Sequence, residues 1–526
     1  MVIIIWFVLS PLYGGGFFVF GIFCIFAPMI INTEIKELTR NGVPVMNKYG
    51  VCQRFLCVSY VGKDRKIHLF CYVIPDEMMY QWKYTTKALK DPQFLSWDMR
   101  WVAKEPVTGN FSEQRTHEIL MDLARIYPND PDISQFNEMY VPETTFADIE
   151  VNVDDSGFPS PKVARNDVNT CSFVRGNDVW VVGLANLDEG EIRWIQDEID
   201  RHTDSLGVHY NFHYRYHQNE LSLLNDIFFN FIAKSECVTG WNWFGYDWPY
   251  LVKKASNLGI DIQKLSPTGT WMKYKPKMAK TNDDTITVPM HKAMYDYMEI
   301  YKNWDTVVSP KITNKLDWVA ETVLGVKKVA HTLGFKDMWA QQKKEYVFYN
   351  AIDSILVREI DKKIKTSSIF FGLATLMHTP ALTALSSTKS IEIVQAEYLY
   401  KENKVFPKSK KEGDGREYEG AFVYEPIPGV YNDVLTVDFA SLYPTTMRQF
   451  NMSPDTFMFK KKDYRITPDE IKCVNGSVYT KRFKGFIPKI LDDFYAKRKN
   501  FKKKMMVAKT EMEELEEILE RRKGKL

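Results

Sequence analysis

The stretch TTFADIEVNV (residues 144–153) places two acidic side chains inside an apolar run with the composition of a β-strand. Asp148 and Glu150 are two residues apart, so in a strand both side chains point to the same face of the sheet. A buried carboxylate is costly unless it is paired or binds a metal ion. Because such a pair is more often a solvated face, its meaning depends on acidic residues elsewhere in the chain.

Two further acidic signals follow in a region of alternating strand and helix patterns, which indicates an α/β domain. In TGWNWFGYDWPYLV (239–252), Asp247 follows an aromatic-glycine turn and precedes a helical run. In YNAIDSILVREI (349–360), Tyr349 and Asp353 are four apart and share a helix face. Taken alone, Asp247 could be a helix cap and Asp353 half of a surface ion pair.

Together, four carboxylates and one tyrosine suit the chemistry of phosphodiester cleavage. Two hard divalent cations, Mg²⁺ or Mn²⁺, prefer oxygen ligands, and such a pair can activate a water and stabilise the leaving oxygen. Tyr349 would orient the attacking water through a hydrogen bond.

A further acid, Asp438, stands in an apolar run, LTVDFASLYPTTMRQFN (435–451), which is here called the second acidic motif. Leu435, Val437 and Phe439 alternate as in a strand, and Asp438 lies in the middle of that strand. An acid at a strand end before a turn can present a ligand and backbone N–H groups to phosphate.

The C-terminal region is highly charged and predicted to be helical. In FYAKRKNFKKKMM (494–506), Arg498 and Lys502 are four apart and share one helical face. Without other information, a basic helix of this kind is usually a solvated face.

Composition excludes few classes of function. The chain has 526 residues, 45% of them hydrophobic, which allows three or four globular domains. Its net charge is only +2, so a DNA-binding surface must be local. Seven dispersed cysteines form no CxxC pair, which indicates reduced thiols in an intracellular protein.

The first 33 residues carry no charge, a property that would permit a membrane span. Pro11, Gly14–Gly16 and Pro28 interrupt this segment, and no basic residue precedes it, which argues against a signal peptide. A membrane anchor is an alternative that we do not favour. We expect residues 1–45 to be an extension outside the working protein, with translation starting near Met46.

In chain order, DIE, NWFGYD and YNAID resemble the three exonuclease motifs of family B DNA polymerases. The later D-x-x-S-L-Y-P (438–444) is similar to that family's first polymerase motif. MYDYMEIYKNW (294–304) and KLDWVAETVLGV (315–326) resemble its tailed-bacteriophage branch. The resemblance implies a 3′→5′ proofreading exonuclease in which Tyr349 positions the water, with four metal ligands: Asp148, Glu150, Asp247 and Asp353.

The same resemblance implies roles around the polymerase motif. Asp438 would bind both catalytic metals, with the backbone carbonyl of Phe439 as a further ligand, and Tyr443 would select deoxynucleotides. The residues implied along the triphosphate are Ser441, Leu442, Arg498 and Lys502. The motif YEGA (418–421) resembles a template-holding loop, in which Tyr418 and Gly420 would contact DNA; otherwise it is a simple turn.

Two polymerase motifs of the family, K-x-x-x-N-S-x-Y-G and Y-G-D-T-D-S, are not found in this sequence. The acidic NDDTITV (282–288) lies within the exonuclease segment and is no substitute. Because two-metal transfer needs more than one fixed carboxylate, we expect this chain not to polymerise DNA alone. A second chain, or a C-terminal part, would have to supply the rest.

The expected fold class is α/β and α+β multidomain, with a ribonuclease H-like exonuclease domain, an N-terminal β-rich domain, a partial palm and a first fingers helix. The predicted divisions are the extension (1–45), the N-terminal domain (46–140, joined by 366–408), the exonuclease domain (141–365), the partial palm (409–484) and the start of the fingers (485–526).

The leading hypothesis is therefore the N-terminal portion of a DNA-directed DNA polymerase with a complete proofreading site. A free-standing 3′→5′ exonuclease and a non-catalytic DNA-binding or membrane-tethered module remain alternatives. Expected partners are primer-template DNA and single-stranded 3′ ends, deoxynucleoside triphosphates, a C-terminal polymerase chain and replication accessory proteins. Each site would use two Mg²⁺ or Mn²⁺ ions, in the cytoplasm of an infected bacterial host cell.

Overall fold

A computed structural model describes most of the chain between residues 30 and 523. The described ranges are 30–40, 43–46, 52–61, 66–86, 94–107, 111–126, 141–155, 157–276, 284–304, 312–329, 333–407, 425, 427–439 and 441–523. The suggested membrane segment up to residue 29, the expected linker at 408–416 and the YEGA motif with Tyr418 and Gly420 lie outside them. Within these ranges no helix is both long and apolar enough to cross a membrane.

The N-terminal part is built on a three-stranded antiparallel sheet, order β1-β4-β5, with two-stranded ribbons beside it. One helix, α1, contributes Ile119, Leu120 and Leu123 to the core of that sheet. Its elements are β1 (Ile30–Glu37), β2 (Thr39–Arg40), β3 (Val43–Pro44), β4 (Arg54–Val61), β5 (Ile67–Val73), β6 (Tyr80–Tyr84), β7 (Leu95–Ser96), β8 (Val102–Pro106) and α1 (Glu113–Ile126).

The expectation that residues 1–45 lie outside the working protein is wrong for residues 30–37. Strand β1 pairs with β4 along its length, and Ile30 and Ile31 are buried. A side chain of the strand also contacts the central part of the chain, because Lys36 Nζ donates to the Thr268 carbonyl oxygen at 2.7 Å. The sequence did not reveal this strand, because its first residues belong to the uncharged run and its polar residues begin only at residue 32. A chain starting at Met46 would lack it.

The central part is a six-stranded sheet of order β12-β11-β10-β9-β13-β16, with a hairpin, β14-β15, beside it. Strand β10 runs antiparallel to both of its neighbours, β9 and β11. Strand β12 runs parallel to β11, β13 runs parallel to β9, and β16 runs parallel to β13. The strands are β9 (Thr144–Val151), β10 (Val168–Arg175), β11 (Asp178–Gly183), β12 (Asn211–Tyr216), β13 (Cys237–Gly240), β14 (Trp271–Tyr274), β15 (Ile286–Pro289) and β16 (Ala293–Asp296).

Helices cover both faces of this sheet. Alternation along β9 sends Phe146 into the core shared with the long helix α8, whereas Ala147, Ile149 and Val151 enter the core on the other face. The helices are α2 (Glu189–Thr203), α3 (Glu220–Asp226), a π turn (Ile227–Ile232), α4 (Asp247–Asn257), α5 (Tyr297–Trp304), α6 (Leu316–Leu324), α7 (Phe335–Gln341) and α8 (Lys343–Ile364).

The remaining elements connect back to the N-terminal part and then extend away from it. Strand β17 pairs with β7, and Tyr400 of α10 donates to Asp122 of α1 at 2.6 Å. A small antiparallel sheet, order β18-β20-β19, precedes the long last helix. These elements are α9 (Thr366–Leu376), α10 (Ser387–Lys401), β17 (Lys404–Val405), α11 (Leu442–Gln449), β18 (Phe457–Lys460), β19 (Glu470–Lys472), β20 (Ser477–Thr480) and α12 (Phe486–Lys523).

The strand predicted at Leu435–Phe439 does not form. Residues 434–439 form no strand, and Leu435, Val437 and Phe439 are 86%, 75% and 70% exposed. Asp438 is exposed as well. The reason is pairing: a strand needs a neighbour for its N–H and C=O groups, and the described residues supply none here.

Strand β1 predicts a stability effect that tests the correction at residues 30–37. Replacing the buried Ile31 with Ala should lower the free energy of unfolding by about 2–4 kcal/mol, because it leaves a cavity in the main core. Val43→Ala is the control, since that side chain is exposed. Urea unfolding measures both. Equal, negligible effects would return residues 30–37 to a peripheral extension.

Candidate metal centre

Three acidic side chains meet where helix α8 crosses strand β9. Asp148 and Glu150 are half-buried on the strand, Asp353 is buried on the helix, and their carboxylate oxygens lie within 4.8 Å of one another. Among the residues that the structure describes, these form the only group of three acidic or metal-ligating side chains this close. The two side chains that strand spacing places on one face of β9 therefore meet the side chain that helix spacing places on one face of α8.

Hydrogen bonds between β10 and α8 fix the helix over the sheet. Ser172 Oγ donates to the Asn350 carbonyl oxygen at 2.8 Å and lies 2.6 Å from Ser354 Oγ. The Asn350 amide group donates to Asp148 Oδ2 at 2.8 Å. Since Asn350 is fully buried, it holds the first carboxylate in a single orientation. Sequence reasoning missed this role, although Asn350 stands inside the quoted YNAID motif.

Lys328 supplies a positive charge to the cluster. Its ammonium group lies 2.5 Å from Asp353 Oδ2 and 4.4 Å from the Tyr349 ring centroid. The lysine follows α6, which ends at Gly325 in the left-handed region with φ +77°. Nothing in the sequence singled out Lys328, because its place in the site depends on how the segment after α6 returns to α8.

Asp247 lies beside the cluster but outside the group of three. It is the first residue of α4, is buried, and its Oδ1 accepts a hydrogen bond from the Ile149 N–H at 3.1 Å. Strand β13 ends in a glycine before the turn that leads to Asp247, because a Cβ on Gly240 would stand 2.2 Å from the Ala147 carbonyl oxygen of β9. The structure thus places this acid against the strand between Asp148 and Glu150, where its charge acts on both.

Burial controls the protonation of these acids. Loss of hydration raises the pKa of Asp148 to about 8, with Asp353 adding like-charge repulsion, and it raises the pKa of Glu150 and of Asp247 well above the usual range. Burial also raises the pKa of Asp353, which Lys328 partly offsets. Without added positive charge the cluster therefore favours its protonated form.

The residues present fit a hard divalent cation. All the candidate ligands are carboxylates, the donors that Mg²⁺ and Mn²⁺ prefer. In addition, Asp353 Oδ1 is buried without a hydrogen-bond partner in the structure, which leaves one ligand atom available. The positive charge of a bound cation would stabilise the ionised form of these carboxylates and so lower their pKa values.

Tyr349 borders the cluster and remains neutral. Its ring packs edge-on against Phe335, with centroids 5.4 Å apart, and burial together with Asp353 raises the pKa of its hydroxyl far above neutrality. The hydroxyl interacts with Lys328 and Asp353. It can therefore act as a hydrogen-bond donor at the edge of the site.

The residues predicted around the second acidic motif lie in a separate and largely exposed part of the chain. Asp438 and Phe439 are exposed, Ser441 adopts a left-handed conformation with φ +55°, and Leu442 and Tyr443 begin helix α11 with exposed side chains.

Helix α12 carries the predicted basic pair, with Arg498 half-buried and Lys502 exposed. It is attached to α11 through Arg448, whose Nε lies 2.5 Å from Asp492 Oδ1 and whose guanidinium lies over the Tyr495 ring. The motif helix and the basic helix are thus neighbours.

Two family models match the chain. The model described as DNA polymerase family B, exonuclease domain, covers residues 131–304, and the model of DNA polymerase family B covers residues 379–523.

Curated relatives agree with these two matches. The DNA-directed DNA polymerase of Escherichia phage RB69 is 27% identical over 400 residues, covering 71% of this chain and 43% of the phage protein. That of Enterobacteria phage T4 is 24% identical over 434 residues, covering 76% and 47%. DNA polymerase 1 of Pyrococcus abyssi is 27% identical over 291 residues, covering 53% and 35%. The chain spans less than half the length of each of these relatives.

The raised pKa of Asp148 predicts how metal ions affect stability. Between about pH 4 and pH 8 the folded protein holds a proton there that the unfolded chain releases, so without metal its stability falls as pH rises. Asp148→Asn plus Glu150→Gln should therefore raise the melting temperature at pH 8 in EDTA, by roughly 2–4 °C per kcal/mol relieved. Mg²⁺ should raise the melting temperature of the unmodified chain and leave that of the variant unchanged. An equal Mg²⁺ effect in both proteins would contradict this assignment.

Lys328 predicts a shift in the pH dependence of metal binding. Its charge lowers the pKa of Asp148, Glu150 and Asp353, so Lys328→Met should move the pH midpoint of Mn²⁺ binding upward by about one unit. Calorimetric titration across pH 5.5–9 measures the midpoint. Lys327→Met is the control, since Lys327 is exposed and pairs with Glu321. A midpoint that stays in place, or that moves equally in the control, would show that Lys328 does not tune this site.

Proposed function

We propose, from the premise that this chain belongs to DNA polymerase family B, that its metal centre is a 3′→5′ exonuclease site acting on single-stranded DNA. The single observation that carries the proposal is the convergence of Asp148, Glu150 and Asp353 within 4.8 Å. The released product would be a nucleoside 5′-monophosphate, and the shortened strand would keep a 3′-hydroxyl.

The sheet supports a ribonuclease H-like assignment for this domain. Three antiparallel strands, β9 to β11, are followed by strands that add in parallel on both sides. Asp148 and Glu150 lie on β9, a central strand of the sheet and its first strand in chain order. Asp353 lies on helix α8, which packs across the sheet.

Two Mg²⁺ or Mn²⁺ ions would be held by Asp148, Glu150, Asp353 and Asp247, and when bound they supply a nucleophilic water and stabilise the leaving oxygen. The chain's own groups do the positioning. Asn350 fixes Asp148, and the neutral Tyr349 hydroxyl donates a hydrogen bond that orients the water.

An exposed aromatic pair offers a place for a terminal base. Phe158 is 67% exposed, and its ring centroid lies 5.1 Å from that of Tyr246, the residue before Asp247. Bases of single-stranded DNA stack on aromatic rings with little regard to sequence. We infer that this pair holds the 3′-terminal base beside the metal ligands.

The polymerase part is proposed to be one half of a site. Asp438 and the Phe439 carbonyl would hold two divalent cations, Tyr443 would contact the sugar, and the triphosphate would lie along Ser441, Leu442, Arg498 and Lys502. The exposed apolar segment 434–439 supports completion by further palm strands, because such residues are normally paired and covered. Those strands would carry the polymerase motifs not found here, on another segment or another chain.

The same proposal sets the surroundings in which the chain works. Its partners would be primer-template DNA, deoxynucleoside triphosphates, the polypeptide that completes the palm, and replication accessory proteins. We place it in the cytoplasm of an infected bacterial host.

Stepwise digestion tests the exonuclease assignment. With Mg²⁺ and 5′-labelled single-stranded DNA, the chain should produce a ladder of shorter labelled strands. Asp148→Ala plus Glu150→Ala should reduce this to background, and Asn350→Ala should slow it about 10- to 100-fold, since outer groups tune metal ligands by that factor.

The matched control removes two exposed acids of helix α2, Glu189→Ala plus Asp197→Ala, and should digest DNA at the original rate. No shortening by the unmodified chain, or shortening that survives the loss of Asp148 and Glu150, would falsify the proposal.

A further inference from the structure

Residues 457–485, here called the basic sheet, concentrate positive charge in an otherwise balanced chain. They contain eight lysines and arginines and three acidic residues, a net charge of +5, while the whole chain carries +2. The segment comprises β18, β19 and β20 with the turns that join them to α12. Because the whole chain is nearly neutral, a DNA-binding surface must concentrate positive charge in one region, and this segment does so.

Much of this charge is not neutralised within the protein. Lys472, Arg482 and Lys484 are engaged, because they contact the Tyr464 carbonyl oxygen, Asp469 and Asp492 respectively. The other five cations are exposed, and within the described residues no carboxylate lies within ion-pair distance of them. They are Lys460, Lys461, Lys462, Arg465 and Lys481.

Exposed aromatic and apolar side chains stand among these cations. Phe457 is 48% exposed and packs edge-on against Tyr479 of the adjacent strand, with ring centroids 5.7 Å apart. Met458, Ile466 and Phe483 are also exposed. Solvation of a basic face does not require exposed aromatic rings. A surface that binds single-stranded nucleic acid combines cations, which contact the phosphates, with aromatic rings, on which the bases stack.

The basic sheet is rigidly attached beside the second acidic motif. Asn451, just after α11, donates to the Thr480 and Phe483 carbonyl oxygens at 2.7 and 2.9 Å. Its own Oδ1 accepts from the Gly485 N–H at 2.9 Å, one residue before α12. One side chain thus links the motif helix, the basic sheet and the basic helix.

We propose that the basic sheet binds single-stranded DNA, with Lys460, Lys461 and Lys462 on the phosphates and Phe457 under a base. The choice of DNA as the polyanion rests on the proposed function; the surface itself does not involve the metal centre. Single strands are favoured over duplex because paired bases present no free face to Phe457. The surface would keep a strand against the chain close to the second motif, apart from the exonuclease site.

The test is fluorescence anisotropy with a labelled oligothymidine, in EDTA so that no DNA is cut. Lys461→Glu plus Lys462→Glu should weaken binding about tenfold or more at 100 mM salt and reduce the slope of log K against log salt by about one to two. The matched control, Lys253→Glu plus Lys264→Glu, changes the same charge at exposed positions elsewhere and should bind as the unmodified chain does.

Phe457 separates stacking from charge. Phe457→Ala should weaken binding several-fold without changing the salt slope, and Phe457→Trp should restore it. Equal effects of both lysine pairs, or duplex bound as tightly as single strands by every variant, would overturn the proposal. The exonuclease-inactive Asp148→Ala plus Glu150→Ala chain should retain this binding, so failure of the metal centre and failure of the basic sheet give different results.

Discussion

The structure of the central domain depends on holding three carboxylates close together where water is scarce. Like charges at this separation repel, and burial removes the hydration that would stabilise each of them. The ammonium group of Lys328 and the side-chain amide of Asn350 offset part of this cost. The neighbouring Asp247 is stabilised separately, by the hydrogen bond that the Ile149 N–H donates to it. A divalent cation would complete the compensation, and without one the raised pKa values favour the protonated acids.

The N-terminal sheet is connected to the same domain through polar contacts rather than through a shared apolar face alone. His291, with φ +62°, contacts Ser59 at 2.9 Å and Glu34 at 3.4 Å across the boundary. Glu34 also accepts a hydrogen bond from Thr268 at 3.0 Å. These contacts come from β1 and β4 on one side and from the segments flanking the β14-β15 hairpin on the other. Strand β1 is therefore a structural joint between two parts of the chain.

Sequence periodicity located the main elements of the central domain because those elements satisfy their own patterns. The two-residue spacing of Asp148 and Glu150 and the four-residue spacing of Tyr349 and Asp353 follow from strand and helix geometry, whatever the tertiary context. Lys328 could not be found this way, since its position depends on a return of the chain between α6 and α8.

The errors share a physical cause, which is pairing between strands. Residues 30–37 were assigned to an extension, yet β4 gives them a partner along their whole length. Residues 435–439 have an equally strand-like pattern, yet no neighbour among the described residues pairs with them. Alternation of apolar and polar residues predicts which face a strand would bury. Whether the strand forms depends on a neighbouring strand that pairs with it.

The distance along the chain between the two halves of the metal centre has a consequence for its biosynthesis. The hydrogen bond from Asn350 to Asp148 joins residues 202 positions apart. During translation, strand β9 leaves the ribosome long before helix α8, and long-range contacts of this kind form late and slowly. A nascent or interrupted chain that ends before Asp353 contains Asp148, Glu150 and Asp247 but lacks the acid that helix α8 contributes. The group of three carboxylates is therefore incomplete until the whole domain has been synthesised.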